Sequence, residues 1–214
     1  MNISVKLLES NSVIRNLILS ALRDDINACI SKSMSSITDQ VKDVVRKALK
    51  DEPEYSSLIS GQLKAEFGIS DTSSVDVVIN KLVDTLVMIR NPVSYNNVGL
   101  TGGFILTMIK SDDLGGVVGD GSAKVIDSER GYELPWLEWL ALFGNRAIVK
   151  NYEVKMGSNP NSRSGMAIMV DSKKSWRVPA QFVGTISSNW ITRAIERVDP
   201  QIYRIIQNAI EANI

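Results

Sequence analysis

The feature that most constrains the fold is a long stretch without a helix-breaking residue. Neither proline nor glycine occurs between Val13 and Lys50. Apolar residues recur there at helical spacing, and from Ile30 onward they come close to a heptad repeat. One helix of this length would extend about 57 Å, because each residue adds about 1.5 Å. The segment 31–36 is poor in helix formers, so two consecutive helices are the alternative, but we favour one long helix.

The segment 53–98 is predicted to be helical. A first helix covers 55–67 and ends at Gly68, a residue type that readily adopts the left-handed conformation after a helix. A second helix has a strongly apolar face that runs from Val75 to Ile89, and Pro92 closes it. We treat 53–98 as a helical insert after the long N-terminal helix.

The segment 99–187 is predicted to carry the β-sheet, with a helix embedded at 134–143. Pro135 suits the first turn of that helix, because its missing N–H would be unpaired there anyway. Gly144 ends the helix. The residues 147–156 then alternate between apolar and polar, as a half-buried strand does.

A hairpin is predicted after the turn-rich loop Gly157 to Gly165. Its first strand covers 166–170, a polar turn covers 171–174, and 176–178 pairs back. Pro179 ends the second strand, because proline donates no hydrogen bond to a sheet.

The glycine-rich segment 112–121 has three interpretations. A phosphate-binding loop needs a helix directly after it and usually a lysine, whereas we predict a strand at 122–126. A calcium loop needs carboxylates at alternate positions and a terminal glutamate, which Asp112, Asp113 and Asp120 do not provide. We therefore predict a β-hairpin with a tight Gly-Asp-Gly turn.

Helices are predicted for the C-terminal segment 188–214. Ser188 or Asn189 is suited to cap the first of them, which carries Trp190. Pro200 is expected to open the last helix, since proline fits a first turn.

The composition disfavours several classes of function. The chain has no histidine, which removes the commonest general base and a frequent metal ligand. Its one cysteine, Cys29, allows neither an intramolecular disulfide nor a cysteine zinc site, and we expect it to be buried. The formal net charge of zero disfavours an extended basic surface for nucleic acid. We assign no catalytic, cofactor-binding or metal-binding residue.

A membrane partner is not expected. The segment 1–8 lacks the apolar core of a signal peptide, and no apolar run reaches the roughly 18 residues that cross a bilayer. We therefore expect a soluble protein made in a reducing compartment.

Three motifs, in this order, resemble those of the tail-completion, or head–tail joining, proteins of long-tailed bacteriophages. The (S/T)-G-x-L step after the N-terminal helix matches 60–63 (SGQL), and the aromatic-Glu-aromatic-Gly segment matches 136–144. The proline-aromatic segment and its helix match 179–195, although Ala-Gln-Phe follows the proline here. The insert 69–98 is larger than is typical. The segments ELPWLEWL, NPNSRSGMAIM and WRVPAQFVGT also look like parts of myophage virion proteins.

The resemblance implies an α+β fold, with a small, mostly antiparallel β-sheet flanked by helices, a long helical region at 1–52 and a single domain over 1–214. It also implies a homo-oligomeric ring, most simply sixfold, in the phage neck. The expected partners are further copies of the chain and the neighbouring neck, connector and tail-tube or sheath proteins. DNA would pass through the lumen without sequence-specific binding. Such a protein is a virion component made in the host bacterial cytoplasm, and it is not an enzyme.

A ring interface needs exposed anchors and adaptable loops. The predicted interface residues are Leu114, Val117, Val118, Arg146, Asn159, Asn161 and Arg163. Two other functions stay open: a tail-tube terminator ring, and a small-ligand-binding module or enzyme that uses the glycine-rich segment 115–121.

Overall fold

The computed structural model of the protein describes residues 8–96, 98–107, 111–127 and 131–212, with the backbone alone at 111–114. The fold is α+β, as predicted. The chain divides into two compact units. Unit 1 comprises the described residues of Met1–Val41, Val87–Thr107 and Tyr203–Ile214, and unit 2 comprises those of Lys42–Leu86 and Met108–Ile202. That the chain folds as one domain stays a prediction.

The α-helices and β-strands alternate in groups along the chain. Helices α1 to α7 are Asn11–Asp51, Pro53–Ser60, Gln62–Phe67, Ser73–Asp84, Ser111–Gly119, Trp136–Ala141 and Trp190–Glu211. Strands β1 to β6 are Val87–Tyr95, Leu100–Thr107, Val125–Asp127, Tyr132–Leu134, Ala147–Met156 and Ala167–Arg177. Short 3₁₀ turns lie at Gly121–Ala123 and Ala180–Phe182. The strands pair antiparallel as β1–β2, β3–β4 and β5–β6, so the β-structure consists of two-stranded hairpins.

Helix α1 is continuous, which confirms the single long helix. Ser10 caps it, because the Ser10 hydroxyl oxygen accepts a hydrogen bond from the backbone N–H of Val13 (3.4 Å). Inside the helix, the hydroxyls of Ser31 and Thr38 donate to backbone carbonyls one turn earlier. These bonds satisfy the hydroxyls of Ser31 and Thr38 without ending the helix.

The helix predicted over 55–67 is wrong as a single element, because it divides at Gly61 into α2 and α3. The backbone of Gly61 is extended, and the Ser57 hydroxyl accepts a hydrogen bond from the Leu63 N–H (3.0 Å) in place of a helical carbonyl. Gly68 ends α3 in the left-handed conformation, with φ of 72°, as predicted.

Helix α4 confirms the apolar face from Val75 to Val83, whose members Val78 and Leu82 are fully buried. The prediction that the helix continues to Ile89 and Pro92 is wrong, because both residues lie on strand β1. The β-branched residues after the helix pair with strand β2, and this tertiary pairing overrides the helical spacing of the sequence.

The glycine-rich segment is helical, so the predicted β-hairpin with a Gly-Asp-Gly turn is wrong. Helix α5 leads into the 3₁₀ turn, and Asp120 caps that turn by accepting a hydrogen bond from the N–H of Ser122 (2.9 Å). The Asp120 carboxylate also pairs with the ammonium of Lys81, which ties the cap to α4. The following strand begins at Val125 rather than at Ser122.

The hairpin β5–β6 confirms the strand predicted over 147–156. Strand β6 is continuous, so the predicted polar turn at 171–174 is wrong. Asn151 of β5, which has φ of 62°, stands opposite the extra residues 172–174 of β6. The polar run is therefore a bulge in a long hairpin, and bulges also admit residues that would suit a turn.

Helix α7 begins after Asn189, as predicted. The Asn189 side-chain oxygen accepts hydrogen bonds from the backbone N–H groups two and three residues later (3.0 and 3.1 Å). The prediction that a separate helix opens at Pro200 is wrong, because α7 runs through it. Val198 and Ile202 are buried on either side of Pro200, and this packing holds the helix together where proline removes one backbone hydrogen bond.

Helix α6 is the embedded helix predicted at 134–143. It begins directly after Pro135, and Trp136 and Leu140 are buried in unit 2. Gly144 follows with φ of 59°, and its N–H donates to the carbonyl oxygen of Gly184 (2.9 Å). The helix and the segment before α7 are therefore joined by a backbone hydrogen bond.

Candidate functional site

Unit 2 contains an open cleft of about 1080 Å³. Its walls come from the end of α3, from α6, from the hairpins β3–β4 and β5–β6, and from the loop 157–165. The aromatic residues in its lining are Phe67, Tyr132, Trp139, Tyr152 and Trp176. The cleft combines aromatic surface with a small number of charged groups, as ligand and peptide sites do.

Arg163 projects from the loop 157–165 onto the hairpin β3–β4. Its guanidinium carbon lies 5.2 Å from the centre of the Tyr132 ring, and Nη2 donates to the Tyr132 hydroxyl. Its Nη1 lies 3.6 Å from a carboxylate oxygen of Asp127. A side chain at Gly68 would contact the guanidinium, since a Cβ there would lie 3.5 Å from Nε. The loop is therefore held in place by stacking and by an ion pair.

Glu66 and Trp176 form another wall of the cleft. The indole N–H of Trp176 donates to one carboxylate oxygen of Glu66 (2.9 Å), and the amide of Gln62 donates to the other (2.6 Å). The Trp176 ring meets Phe67 edge to face, with 5.8 Å between the ring centres. Trp176 is also buried, which confirms that it belongs to the fold.

The structure brings part of the predicted interface together. Asn159, Asn161 and Arg163 all line the cleft. Asn159 shapes the loop, because its side-chain oxygen accepts a hydrogen bond from the N–H of Asn161 (2.9 Å). That these residues contact another protein stays a prediction, but their position beside an open aromatic cleft suits that role.

The other predicted interface residues lie apart from the cleft lining. Val117 is buried in unit 2 and Val118 is half-buried. Leu114 lies in α5, and its side chain is outside the described part of the chain. Arg146 is exposed, with its guanidinium carbon 5.5 Å from the centre of the Phe143 ring.

The glycine-rich segment offers no open carboxylate at Asp120. Lys81 and the N–H of Ser122 hold the pKa of Asp120 at about 2, well below its ordinary value. The group is therefore a charged cap that is already paired within the protein. Across the described ranges of the chain, no group of three or more cysteine or carboxylate side chains is arranged to hold a metal ion. The helices of these ranges include none that is long and apolar enough to cross a membrane.

A second candidate surface lies on unit 1, and none of its residues was among the predicted interface residues. The N-terminal half of α1 exposes Leu17 by 63% and Ile18 by 54%, and Val13 and Leu22 are exposed as well. The sequence does contain a signal for an exposed apolar surface on α1. The apolar residues between Val13 and Ile26 occupy more of the helix circumference than one packed face needs. Helical spacing alone does not distinguish a packed apolar face from an exposed one, so the sequence did not assign these residues to an interface.

The three motifs that resemble the phage family pack against one another in unit 2. Gln181, in the third motif, donates its side-chain N–H to the side-chain oxygen of Gln62 in the first (2.9 Å). The second and third motifs meet at the bond from Gly144 to Gly184, and a Cβ at Gly184 would overlap the carbonyl oxygen of Leu140. The close approach explains why glycine occupies this position.

Comparison of the chain with protein-family models, with curated proteins and with solved structures gives no match. The resemblance to phage neck proteins is therefore carried by the motifs of this sequence alone.

Proposed function

We propose that this protein is a structural subunit of the neck of a long-tailed bacteriophage. Copies of it form a homo-oligomeric ring, most simply sixfold, that joins the capsid connector to the tail. Its partners are further copies of the same chain and the neighbouring neck, connector and tail proteins. The protein acts by binding its neighbours in the particle, and it catalyses no reaction.

The apolar surface of α1 is the observation that carries self-assembly. Contiguous exposed apolar surface on a folded protein marks a site of protein–protein contact. Burying one leucine or isoleucine side chain contributes about 1.5–3 kcal/mol, so even partial burial of Leu17, Ile18 and Leu22 favours association. The zero net charge of the chain adds little repulsion between copies.

The placement of the three family motifs supports the assignment to the phage neck. Residues 60–63 lie at the junction of α2 and α3, 136–144 form α6 and the turn after it, and 179–195 lead into α7. A fold shared with that family requires the motifs to lie close together in space. Hydrogen bonds do join these motifs, although they are distant in sequence.

The proposal is tested by removing the protein from cells that produce the phage particle. We expect filled heads and complete tails that fail to join, and we expect the addition of purified protein to the extract to restore joined particles. Tails of abnormal length would instead favour the tail-tube terminator ring. Normal, infectious particles in the absence of the protein would contradict both forms of the proposal.

A further inference from the structure

We infer that unit 1 carries both halves of the contact between neighbouring copies: the outer face of α1 in one copy packs on the outer face of hairpin β1–β2 in the next. The inference rests on the proposed ring and names the surfaces that build it. The outer face of α1 is the row Ile14, Ile18 and Leu22, and the outer face of the hairpin is defined below.

The inner side of α1 is fixed by its contacts with the hairpin. The Asn27 side chain donates to the carbonyl oxygen of Val93 and accepts from its N–H, both at 2.9 Å. Arg90 of β1 donates to the carbonyl oxygen of Asn27 (2.9 Å) and to the Ser31 hydroxyl (2.6 Å). The side of α1 that bears Asn27 and Ser31 therefore faces β1–β2.

The outer face of α1 lies on the other side of the helix. Nine residues separate Ile18 from Asn27, which is about two and a half turns, so the two side chains point in opposite directions. Nearer the middle of α1, the Cys29 thiol lies 3.7 Å from the carbonyl oxygen of Ala209. Helix α7 ends at Glu211, so it does not reach along α1 to cover Ile18.

The outer face of the hairpin follows from its register. Side chains alternate between the two faces of a strand, and Arg90 and the buried Met88 point toward α1. The intervening residues therefore point away from it, and Ile89 pairs directly with Ile105. These two side chains are 45% and 48% exposed. The whole outer face comprises Val87, Ile89, Asn91, Gly103, Ile105 and Thr107, none of which is charged.

The two outer faces match in chemistry and in length. Both centres are apolar, and a helix packed on a sheet face is a stable layer arrangement. Two charged residues border the α1 row: Arg15, whose guanidinium donates to the carbonyl oxygen of Val98, and the exposed Asp25 one turn after Leu22. The row from Ile14 to Leu22 is about 12 Å long at about 1.5 Å per residue. The outer face of β1 from Val87 to Asn91 is about 13 Å long at about 3.3 Å per residue.

The positions of the faces select the symmetry. They lie on opposite sides of the pair formed by the N-terminal half of α1 and the hairpin, so one copy offers its helix face where the next copy offers its hairpin face. Such a contact is head-to-tail, and a head-to-tail contact generates a ring when its rotation closes. A twofold contact would instead place the same face of both copies together.

Disulfide trapping tests the inference in the assembled full-length protein. In a Cys29→Ala background, we combine Ile18→Cys with Ile89→Cys in one chain. We expect mild oxidation to give a ladder of cross-linked species that ends at the full ring, and neither single cysteine variant to give one. The pair Ile18→Cys and Ile105→Cys should give the same ladder, because Ile105 lies opposite Ile89.

A matched control combines Ile18→Cys with Ile186→Cys, since Ile186 is an exposed apolar residue of unit 2. This control should give no ladder, and circular dichroism should show that every variant is folded. Dimers from Ile18→Cys alone would overturn the inference in favour of a twofold contact. An assembled, functional protein that gives no ladder with either pair would overturn the inference and leave the proposed ring standing. A chain that is monomeric and absent from particles would overturn both.

Discussion

An ion pair between the buried Glu54 of α2 and the partly exposed Arg193 of α7 gives the sharpest stability prediction. Glu54 is fully buried, and one of its carboxylate oxygens accepts a hydrogen bond from Arg193. Its other oxygen has no hydrogen-bond partner among the residues that the structure describes. Glu52 lies 3.8 Å from Arg193 and 3.1 Å from Arg197. Arg193 therefore neutralises a carboxylate that water does not reach, whereas the more exposed Glu52 keeps a second arginine.

We expect Arg193→Met to lower the free energy of unfolding by about 3–5 kcal/mol, because it leaves the buried Glu54 carboxylate unpaired. Methionine retains an unbranched apolar chain, so the loss reports the charge more than the packing. The double variant Arg193→Met/Glu54→Leu should recover most of the loss, since it removes both charges and fills the space with apolar atoms. The matched control Arg197→Met should cost less, because Glu52 still has Arg193 within 3.8 Å and no buried carboxylate loses its last partner. Its remaining cost comes from the hydrogen bond of Arg197 to the carbonyl oxygen of Ala48.

Urea unfolding followed by circular dichroism measures all three variants. The protein concentration must be equal throughout, because self-association shifts the apparent stability. With the single variant Glu54→Leu measured as well, the double-mutant cycle yields the coupling free energy between Glu54 and Arg193. The reasoning is refuted if Arg193→Met costs no more than the Arg197→Met control, or if the double variant is less stable than Arg193→Met alone.

Four further predictions concern packing, helix propensity and charge. Trp136→Ala should cost about 3–5 kcal/mol, because the indole is fully buried; an unchanged melting curve would show the core assignment to be wrong. Gly184→Ala should cost roughly 1–3 kcal/mol, because its Cβ would overlap a backbone oxygen. A Cβ at Gly116 in α5 would meet no atom of the described residues, so Gly116→Ala should stabilise by about 0.5–1 kcal/mol. A loss of stability in Gly116→Ala would argue against the helix. Asp120 has a folded pKa of about 2 against an ordinary 3.8, so its contribution is present above about pH 4 and disappears as the pH falls toward 2. Melting curves from pH 2 to pH 6 should show a larger loss of stability in the natural chain than in Asp120→Asn, because Asp71 and Glu153, whose pKa values are also lowered, titrate in both.

Local signals in the sequence predicted those elements whose residues all act within one helix or strand. The absence of helix breakers predicted α1, apolar alternation predicted β5, and the cap at Asn189 and the left-handed Gly68 are where their residue types suggest. Two of the failures share one cause, which is packing between distant segments. Pro200 lies inside α7 because buried neighbours hold the helix, and Ile89 lies on a strand because β2 pairs with it.

The candidate sites show the same division. The composition of the loop 157–165 predicted an exposed segment with interface residues, and Arg163 does lie at an open cleft. Its stacking on Tyr132 joins residues distant in sequence, so no local pattern could reveal it. The apolar faces of α1 and β1–β2 were visible as residues but not as surfaces, because exposure depends on which segments cover them.

The central claim is that the protein is a ring component of the phage neck. Peptide mass spectrometry on purified virions, quantified against the portal protein, tests it most directly. If the protein forms a sixfold ring, its molar signal should be about half that of the portal protein, because the ring then has about half as many subunits as the portal. Absence of the protein from the virion, together with its abundance in the producing cells, would contradict the account.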